Sequence, residues 1–152
     1  MHHFFSTVGT HSITAYYSGT NNFKVSQSAI LPQAVIYSFT GFFRPIENLP
    51  VVNIVKAGSA APVKFSLNDN QGLSIFASGC PPTGTTACNS TDLYDYIDET
   101  VTAGGSSLSY DASANQYVYV WKTEKSWVGS CRQLVVKLSD GTYHRANFNF
   151  SK

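Results

Sequence analysis

The chain has 152 residues, of which 43% are hydrophobic and only 12% are charged, and its formal net charge is +1. This length and apolar content suffice for one domain with a core, or for one domain and part of another. A net charge so close to zero provides no basic surface for nucleic acid or anionic lipid. No apolar run approaches the roughly 18 to 20 residues of a membrane span, so we expect no membrane insertion, and any signal peptide would lie upstream of residue 1.

Residues 1–34 have the pattern of two short strands. Alternation predicts a strand over residues 11–17, a turn over 18–22 and a second strand over 24–30, in a run that ends near Pro32. The string VGTHSITAYYSGTNNF resembles the last two strands of the bacterial Ig-like repeats found in surface proteins, with Tyr17 in the place of their tyrosine corner. The resemblance implies a partial Ig-like repeat.

A two-stranded hairpin is at best marginally stable in water, so its apolar side chains need a cover. Either they pack on the domain that follows, or the strand edges accept a strand from another copy of the chain. We expect pairing between copies, and its head-to-tail repetition would produce a filament. The candidate strand-exchange residues are Ile13, Ala15, Tyr17 and Phe23.

The later chain contains further strand patterns, over residues 62–67, 117–121, 131–138 and 143–150. In the last of these, polar residues alternate with apolar ones, and Asp140-Gly141 just before it is typical of a tight hairpin. Helical periodicity is not sustained for three turns anywhere. These patterns predict an all-β fold, an antiparallel β-sandwich of the Ig-like or jelly-roll-like kind. We expect four core residues: Phe65, Val135, Leu138 and Phe148.

Four separated strings, FTGFFRPIENLP, VKAGSAAPVKFSL, QGLSIFASG and WKTEKSWVGSCRQLVVKLSDGTYHRANFNF, make residues 35–152 similar to the PxKF domain family, whose motif is PVKF at residues 62–65. Domains of this family usually follow Ig-like repeats at the C-terminus of secreted or wall-associated bacterial and archaeal proteins. The resemblance implies an extracellular or cell-surface location and a modular role, and it carries no catalytic residue. Lys64 of the motif is expected to face solvent or a backbone carbonyl.

The three cysteines imply one disulfide and one free thiol in an extracellular chain. Closing the loop from Cys80 to Cys88 would contribute about 2.6 kcal/mol and closing that from Cys88 to Cys131 about 4.0 kcal/mol, a difference that does not decide the pairing. The family resemblance implies the pair Cys88 and Cys131, with Cys80 free. A nucleophilic Cys80 is the alternative, but no histidine lies near it in the sequence.

An acidic cluster and an aromatic row are the remaining candidate sites. Asp92, Asp95 and Asp98 carry the oxygen ligands that Ca²⁺ prefers, but their spacing is not that of an EF-hand, and we expect a solvated loop and no cofactor. A second candidate is an aromatic row on one face of one strand, opposite Val118 and Val120. If these valines face the core, the row is an exposed platform for sugar rings; otherwise it packs against the neighbouring Ig-like segment. The row consists of Tyr117, Tyr119 and Trp121.

Two classes of function follow from these observations. The first is a non-enzymatic structural or adhesive module of a secreted or cell-surface protein, whose partners are other copies of itself or adjoining Ig-like domains. The alternative is a carbohydrate-binding module that holds polysaccharide on the aromatic row. A hydrolase would need paired carboxylates or a triad around His11 or His144, and the sequence identifies no partner for either histidine.

Overall fold

The computed structural model describes residues 7–88 and 107–152. The chain divides into two compact units, Met1–Tyr37 and Ser38–Lys152; the boundary predicted from sequence, after residue 34, lies slightly earlier. Within the described ranges the regular elements are β-strands, apart from one 3-10 turn at Lys125–Trp127. No helix in these ranges is long and apolar enough to cross a membrane.

The first unit is built on two antiparallel strand pairs. Strand β1 (Gly9–Ile13) pairs with β4 (Leu31–Val35), and β2 (Tyr16–Tyr17) pairs with β3 (Ser26–Gln27). We call residues 9–35 the ribbon. The first predicted strand, residues 11–17, is therefore divided between β1 and β2; the second, residues 24–30, contains only β3, and β4 begins after it.

A bulge in the second half of the ribbon explains the division. Ile13 is opposite Leu31, but Tyr16 is opposite Gln27, so the returning segment contains one residue more than the outgoing one. The Ala15 N–H donates to the Ser28 hydroxyl instead of a backbone carbonyl. At the tip, Gly19 has a φ of +80°, and a Cβ there would lie 2.9 Å from the Phe23 carbonyl oxygen. A residue with a side chain would be strained at this position.

The second unit contains two four-stranded sheets. The strands of the first sheet, which we call the aromatic sheet, are in spatial order β5 (Phe42–Phe43), β7 (Ala60–Phe65), β10 (Gln116–Lys122) and β9 (Ser107–Asp111). Those of the second, the C-terminal sheet, are β6 (Val52–Lys56), β12 (Tyr143–Ser151), β11 (Cys131–Lys137) and β8 (Thr83–Thr86).

Ring contacts show that the two sheets face each other. Trp121 of the aromatic sheet lies 4.9 Å from Phe148 and 5.8 Å from Phe150 of the C-terminal sheet, between ring centroids. Trp127, from the 3-10 turn, lies 5.7 Å from Trp121 and completes this cluster. The all-β sandwich predicted from the sequence is thus confirmed.

The last hairpin and the core follow the alternation of the sequence. β11 and β12 pair antiparallel from Cys131 opposite Asn149 to Lys137 opposite Tyr143. The four predicted core residues have no exposed surface: Phe65, Val135, Leu138 and Phe148. Val135, however, pairs with Arg145, and opposite residues share a face, so it belongs to the face turned away from the aromatic sheet.

One strand pair departs from the antiparallel pattern. β6 lies parallel to β12, from Val52 beside Asn147 to Lys56 beside Ser151. Parallel neighbours need a long crossover connection, and here almost the whole second unit separates the two strands. Nothing in the local pattern of either strand indicates this partner.

Candidate functional site

The aromatic row, for which an exposed sugar-binding platform was one of two alternatives, lies in the core of the second unit. Tyr117, Tyr119 and Trp121 are 0%, 4% and 1% exposed. They share the inner face of β10, opposite Phe65, Val63 and Ala61 of β7. The alternative of an exposed row is therefore wrong, because this face meets the C-terminal sheet of the same unit.

Burial of Tyr117 requires partners for its hydroxyl group. The Tyr117 hydroxyl accepts from the Gln71 N–H at 2.6 Å and donates to the Gly72 carbonyl at 3.0 Å. Tyr117 thereby fixes the turn before Ile75 to the core. The other face of β10 carries Val118 and Val120, which are half-buried. The row that suggested ligand binding is a structural feature.

The cysteines pair as the family resemblance implied. Cys88 and Cys131 form a disulfide across a sequence separation of 43 residues, with Cα atoms 5.0 Å apart. Cys80 is a free cysteine of intermediate exposure. Burial raises the pKa of the Cys80 thiol, although Lys137 acts in the opposite direction. A raised pKa keeps the group in its weakly reactive thiol form at neutral pH.

Sequence reasoning missed a groove at the start of β12. The groove has a volume of about 280 Å³ and is open to solvent. Its apolar lining residues are Phe39, Phe42 and Leu49, and its polar lining residues include Asn48 and Arg145. Two further residues line it: Tyr143 and His144. β6 begins beside Asn147, so the residues of β12 before Asn147 have no β6 residue next to them. The groove lies beside these first residues of β12.

Two side chains give the groove its electrostatic character. The His144 ring stacks on Phe39 with centroids 3.5 Å apart and planes 5° apart. Burial lowers the pKa of His144; the Asp140 carboxylate opposes this shift and Arg145 adds to it. The Arg145 guanidinium lies 5.3 Å from the Tyr143 ring, and its buried Nε has no hydrogen-bond partner. The lowered pKa favours the neutral form of His144, and the Arg145 guanidinium supplies a positive charge to the groove lining.

Asp140, Thr142 and His144 lie next to one another, but their hydrogen bonds are those of a turn. Asp140 accepts from the Thr142 N–H at 2.9 Å and from the Thr142 hydroxyl at 2.7 Å. Thr142 Oγ1 lies 3.3 Å from His144 Nε2. In a nucleophilic triad the hydroxyl proton points to the histidine. Here it points to the carboxylate, so His144 is not placed as a base for Thr142.

No family model, curated protein or solved structure matches this chain. Function must therefore be argued from the geometry of the molecule.

The predicted strand-exchange residues lie on the ribbon with different exposures. Tyr17 is 43% exposed and Phe23 is 68% exposed; Ala15 is also exposed, whereas Ile13 is half-buried. Sequence reasoning overlooked apolar residues of the ribbon that are at least 56% exposed: Tyr16, Val25, Ile30 and Leu31. Apolar alternation in the sequence does not show which ribbon residues are exposed, because every residue of a two-stranded ribbon is close to an edge.

The acidic cluster is the one predicted site on which the structure does not bear. Asp92, Asp95 and Asp98 lie outside the described residues. Within residues 7–88 and 107–152, no group of three His, Cys, Asp or Glu side chains lies close enough to hold a metal ion.

Proposed function

We propose that this chain is a non-enzymatic structural module of a secreted or cell-surface protein, and that copies of it associate through the ribbon. The observation that carries the proposal is the combination of free strand edges and exposed apolar side chains on residues 9–35. The PxKF resemblance supports the same location and role.

The edges of the ribbon are suited to strand addition. Among the described residues, β1 and β4 pair with each other and with no third strand. Each therefore presents one row of backbone N–H and C=O groups outside the pair, where another strand can add. Pro32 removes one donor from β4, so β1 is the better edge for a long ladder.

The apolar side chains of the ribbon provide the driving force. Tyr16, Phe23 and Ile30 are 69%, 68% and 66% exposed. Large apolar side chains concentrated at the surface of one short segment favour an interaction site there. A second copy would add backbone hydrogen bonds and bury these side chains at once. If the β1 edge of one copy pairs with the β4 edge of the next, the contact repeats from copy to copy, and its natural product is a filament.

The disulfide supports the proposed location. Stable disulfides form in oxidising compartments such as the bacterial cell exterior and periplasm. Cys88 and Cys131 tie the end of β8 to the start of β11, so the sandwich is cross-linked within one sheet. A surface with few charges and many hydroxyl groups is typical of extracellular β-proteins.

Light scattering across a range of concentrations tests the association. We expect the intact chain to form species larger than a monomer, and a chain beginning at Ala34 to remain monomeric. Leu31→Lys in the intact chain should also reduce association, because a charge on a strand edge opposes pairing. Leu73→Lys is the matched control, because Leu73 is 58% exposed in the second unit and Leu31 is 60% exposed on the ribbon.

Two results would refute association through the ribbon. One is a monomeric intact chain at high concentration whose residues 1–34 resist protease, which would mean that the segment folds back on its own chain. The other is an equal effect of the two lysine substitutions, which would place the contact elsewhere.

A further inference from the structure

The connectivity of the second unit places a parallel strand pair between its two ends. β6 (Val52–Lys56) follows the start of this unit after only the short strand β5, and β12 (Tyr143–Ser151) ends one residue before the last. The two strands are hydrogen-bonded over five residue pairs. A chain that enters at one end of the unit and leaves at the other must pass through this pair.

The parallel direction decides how tension acts on the pair. Force on the entering chain pulls β6 towards Val52, and force on the leaving chain pulls β12 towards Ser151. In a parallel ladder these residues lie at opposite ends, since Val52 is beside Asn147 and Lys56 is beside Ser151. The force therefore slides one strand along the other and stretches all the bonds of the ladder together. An antiparallel pair pulled in the same way would open one bond at a time.

Hydrogen bonds outside the ladder hold both strands in place. The Asn53 side chain donates to the Asn147 carbonyl of β12 at 3.0 Å and to the Glu47 carbonyl at 3.1 Å, and it accepts from the Glu47 N–H at 2.7 Å. One side chain thus joins β6, β12 and the segment through which tension would arrive. Beyond the last pair, the Ala57 N–H donates to the Ser151 carbonyl at 3.0 Å.

The partner strand cannot easily follow β6. β12 lies between β6 and β11, and it pairs with β11 over seven residues. Its side chains Phe148 and Phe150 are buried against Trp121. The first residue of β11, Cys131, is bonded covalently to Cys88. Upstream of β6, by contrast, the ladder is short: β5 pairs with β7 over two residues, and the Thr40 N–H donates to the Ser66 carbonyl at 3.0 Å.

We propose that the β6–β12 pair is a mechanical clamp, by which the second unit resists tension applied between its two ends. The clamp deepens the proposed function, since a structural module at a cell surface transmits force. Only the biological use of the clamp rests on the proposed function. The clamp is expected to give the second unit a high barrier to forced unfolding. Forced unfolding is governed by the unfolding rate rather than by the equilibrium stability.

Single-molecule pulling with optical tweezers tests the clamp in two geometries on the full chain. Handles are attached to introduced cysteines in a Cys80→Ser background, with the native disulfide kept oxidised. Ile36→Cys with Lys152→Cys loads the pair along its length. Lys56→Cys with Lys152→Cys pulls at residues on the same end of the ladder and opens it pair by pair. We expect a several-fold higher unfolding force in the first geometry at the same loading rate.

The disulfide identifies the event in the first geometry. Oxidised protein keeps the segment between Cys88 and Cys131 closed, so unfolding after reduction should release about 150 Å more chain, from 43 residues at about 3.5 Å each. An unfolding event that releases the same length of chain before and after reduction does not include the two sheets. Such an event is not counted as failure of the clamp.

Matched substitutions locate the resistance. Asn53→Ala removes three hydrogen bonds at the clamp. Asp111→Ala also removes three, those that Asp111 Oδ1 accepts from Ser113 and Ala114 in a turn of the other sheet. Asn53→Ala should lower the force in the first geometry clearly and Asp111→Ala hardly at all. Equal forces in the two geometries, or equal effects of the two substitutions, would overturn the clamp.

The outcome is independent of the association experiment. A strong dependence on pulling geometry in a chain that stays monomeric would uphold the clamp and refute association through the ribbon. Association without dependence on geometry would do the reverse.

Discussion

Replacement of Trp121 by alanine is the sharpest test of where the aromatic row lies. Trp121 is 1% exposed and packs against three other aromatic rings, with centroid distances of 5.7 Å to Trp127, 4.9 Å to Phe148 and 5.8 Å to Phe150. Truncating a buried tryptophan to alanine costs about 3 to 5 kcal/mol, from reduced burial and from the cavity that remains. Because the substitution also removes the indole ring from this aromatic cluster, we expect about 4 kcal/mol or more.

Thermal unfolding measures this loss of stability. For a unit of this size, Ser38–Lys152, 1 kcal/mol corresponds to about 4 °C, so the melting temperature should fall by about 16 °C. Trp127, which is 5% exposed, remains as the fluorescent reporter. Trp121→Phe should recover much of the loss, and Phe23→Ala, at a side chain that is 68% exposed, should change the melting temperature little.

The opposite result would restore the carbohydrate hypothesis. If Trp121→Ala lowered the melting temperature by less than about 3 °C and abolished binding to insoluble polysaccharide, the row would be a surface platform and the sandwich core would be wrongly assigned. If the protein bound no polysaccharide and the melting temperature were still unchanged, the core assignment alone would be refuted.

Three further predictions concern the disulfide, His144 and the last hairpin. Reduction of the disulfide, or Cys88→Ser, should lower the free energy of unfolding by about 4 kcal/mol by the loop-closure estimate. Cys80→Ser should be nearly neutral in the same thermal melting experiment. Equal losses for Cys88→Ser and Cys80→Ser would contradict the pairing. Because burial lowers the pKa of His144 in the folded state, the unfolded chain takes up a proton first as the pH falls below about 6.5. The free energy of unfolding should therefore decrease as the pH falls through about 6.5. His144→Gln should flatten this slope, and an unchanged slope would show that His144 is not its cause. Gly141→Ala should cost about 1 to 2 kcal/mol in chemical denaturation, because φ is +89° at this residue and the added Cβ would have no atom within 4 Å, so the cost comes from the backbone angle. Gly141→Asn should cost less, and equal losses in the two variants would point to a cause other than the backbone angle.

Features that depend on neighbouring residues could be predicted from the sequence. The alternation from Tyr143 to Phe150 determines which side chains of β12 share a face, because successive side chains of a strand point to opposite faces. It does not determine their burial, since Asn147 on the polar face is only 5% exposed. Asp140-Gly141 determines the hairpin, because Gly141 has a positive φ at no steric cost. The disulfide is different: the residues left two pairings open, and the resemblance to a family implied the correct one.

Features that depend on distant residues required the tertiary structure. On β10 both faces are apolar, so periodicity cannot tell whether Trp121 or Val120 faces the core; the position of the second sheet decides it. The groove at His144 exists because β6 begins only beside Asn147. The parallel partner of β12 comes from a strand about 95 residues earlier in the chain. Such pairing is set by how both sheets close around one core rather than by local preference.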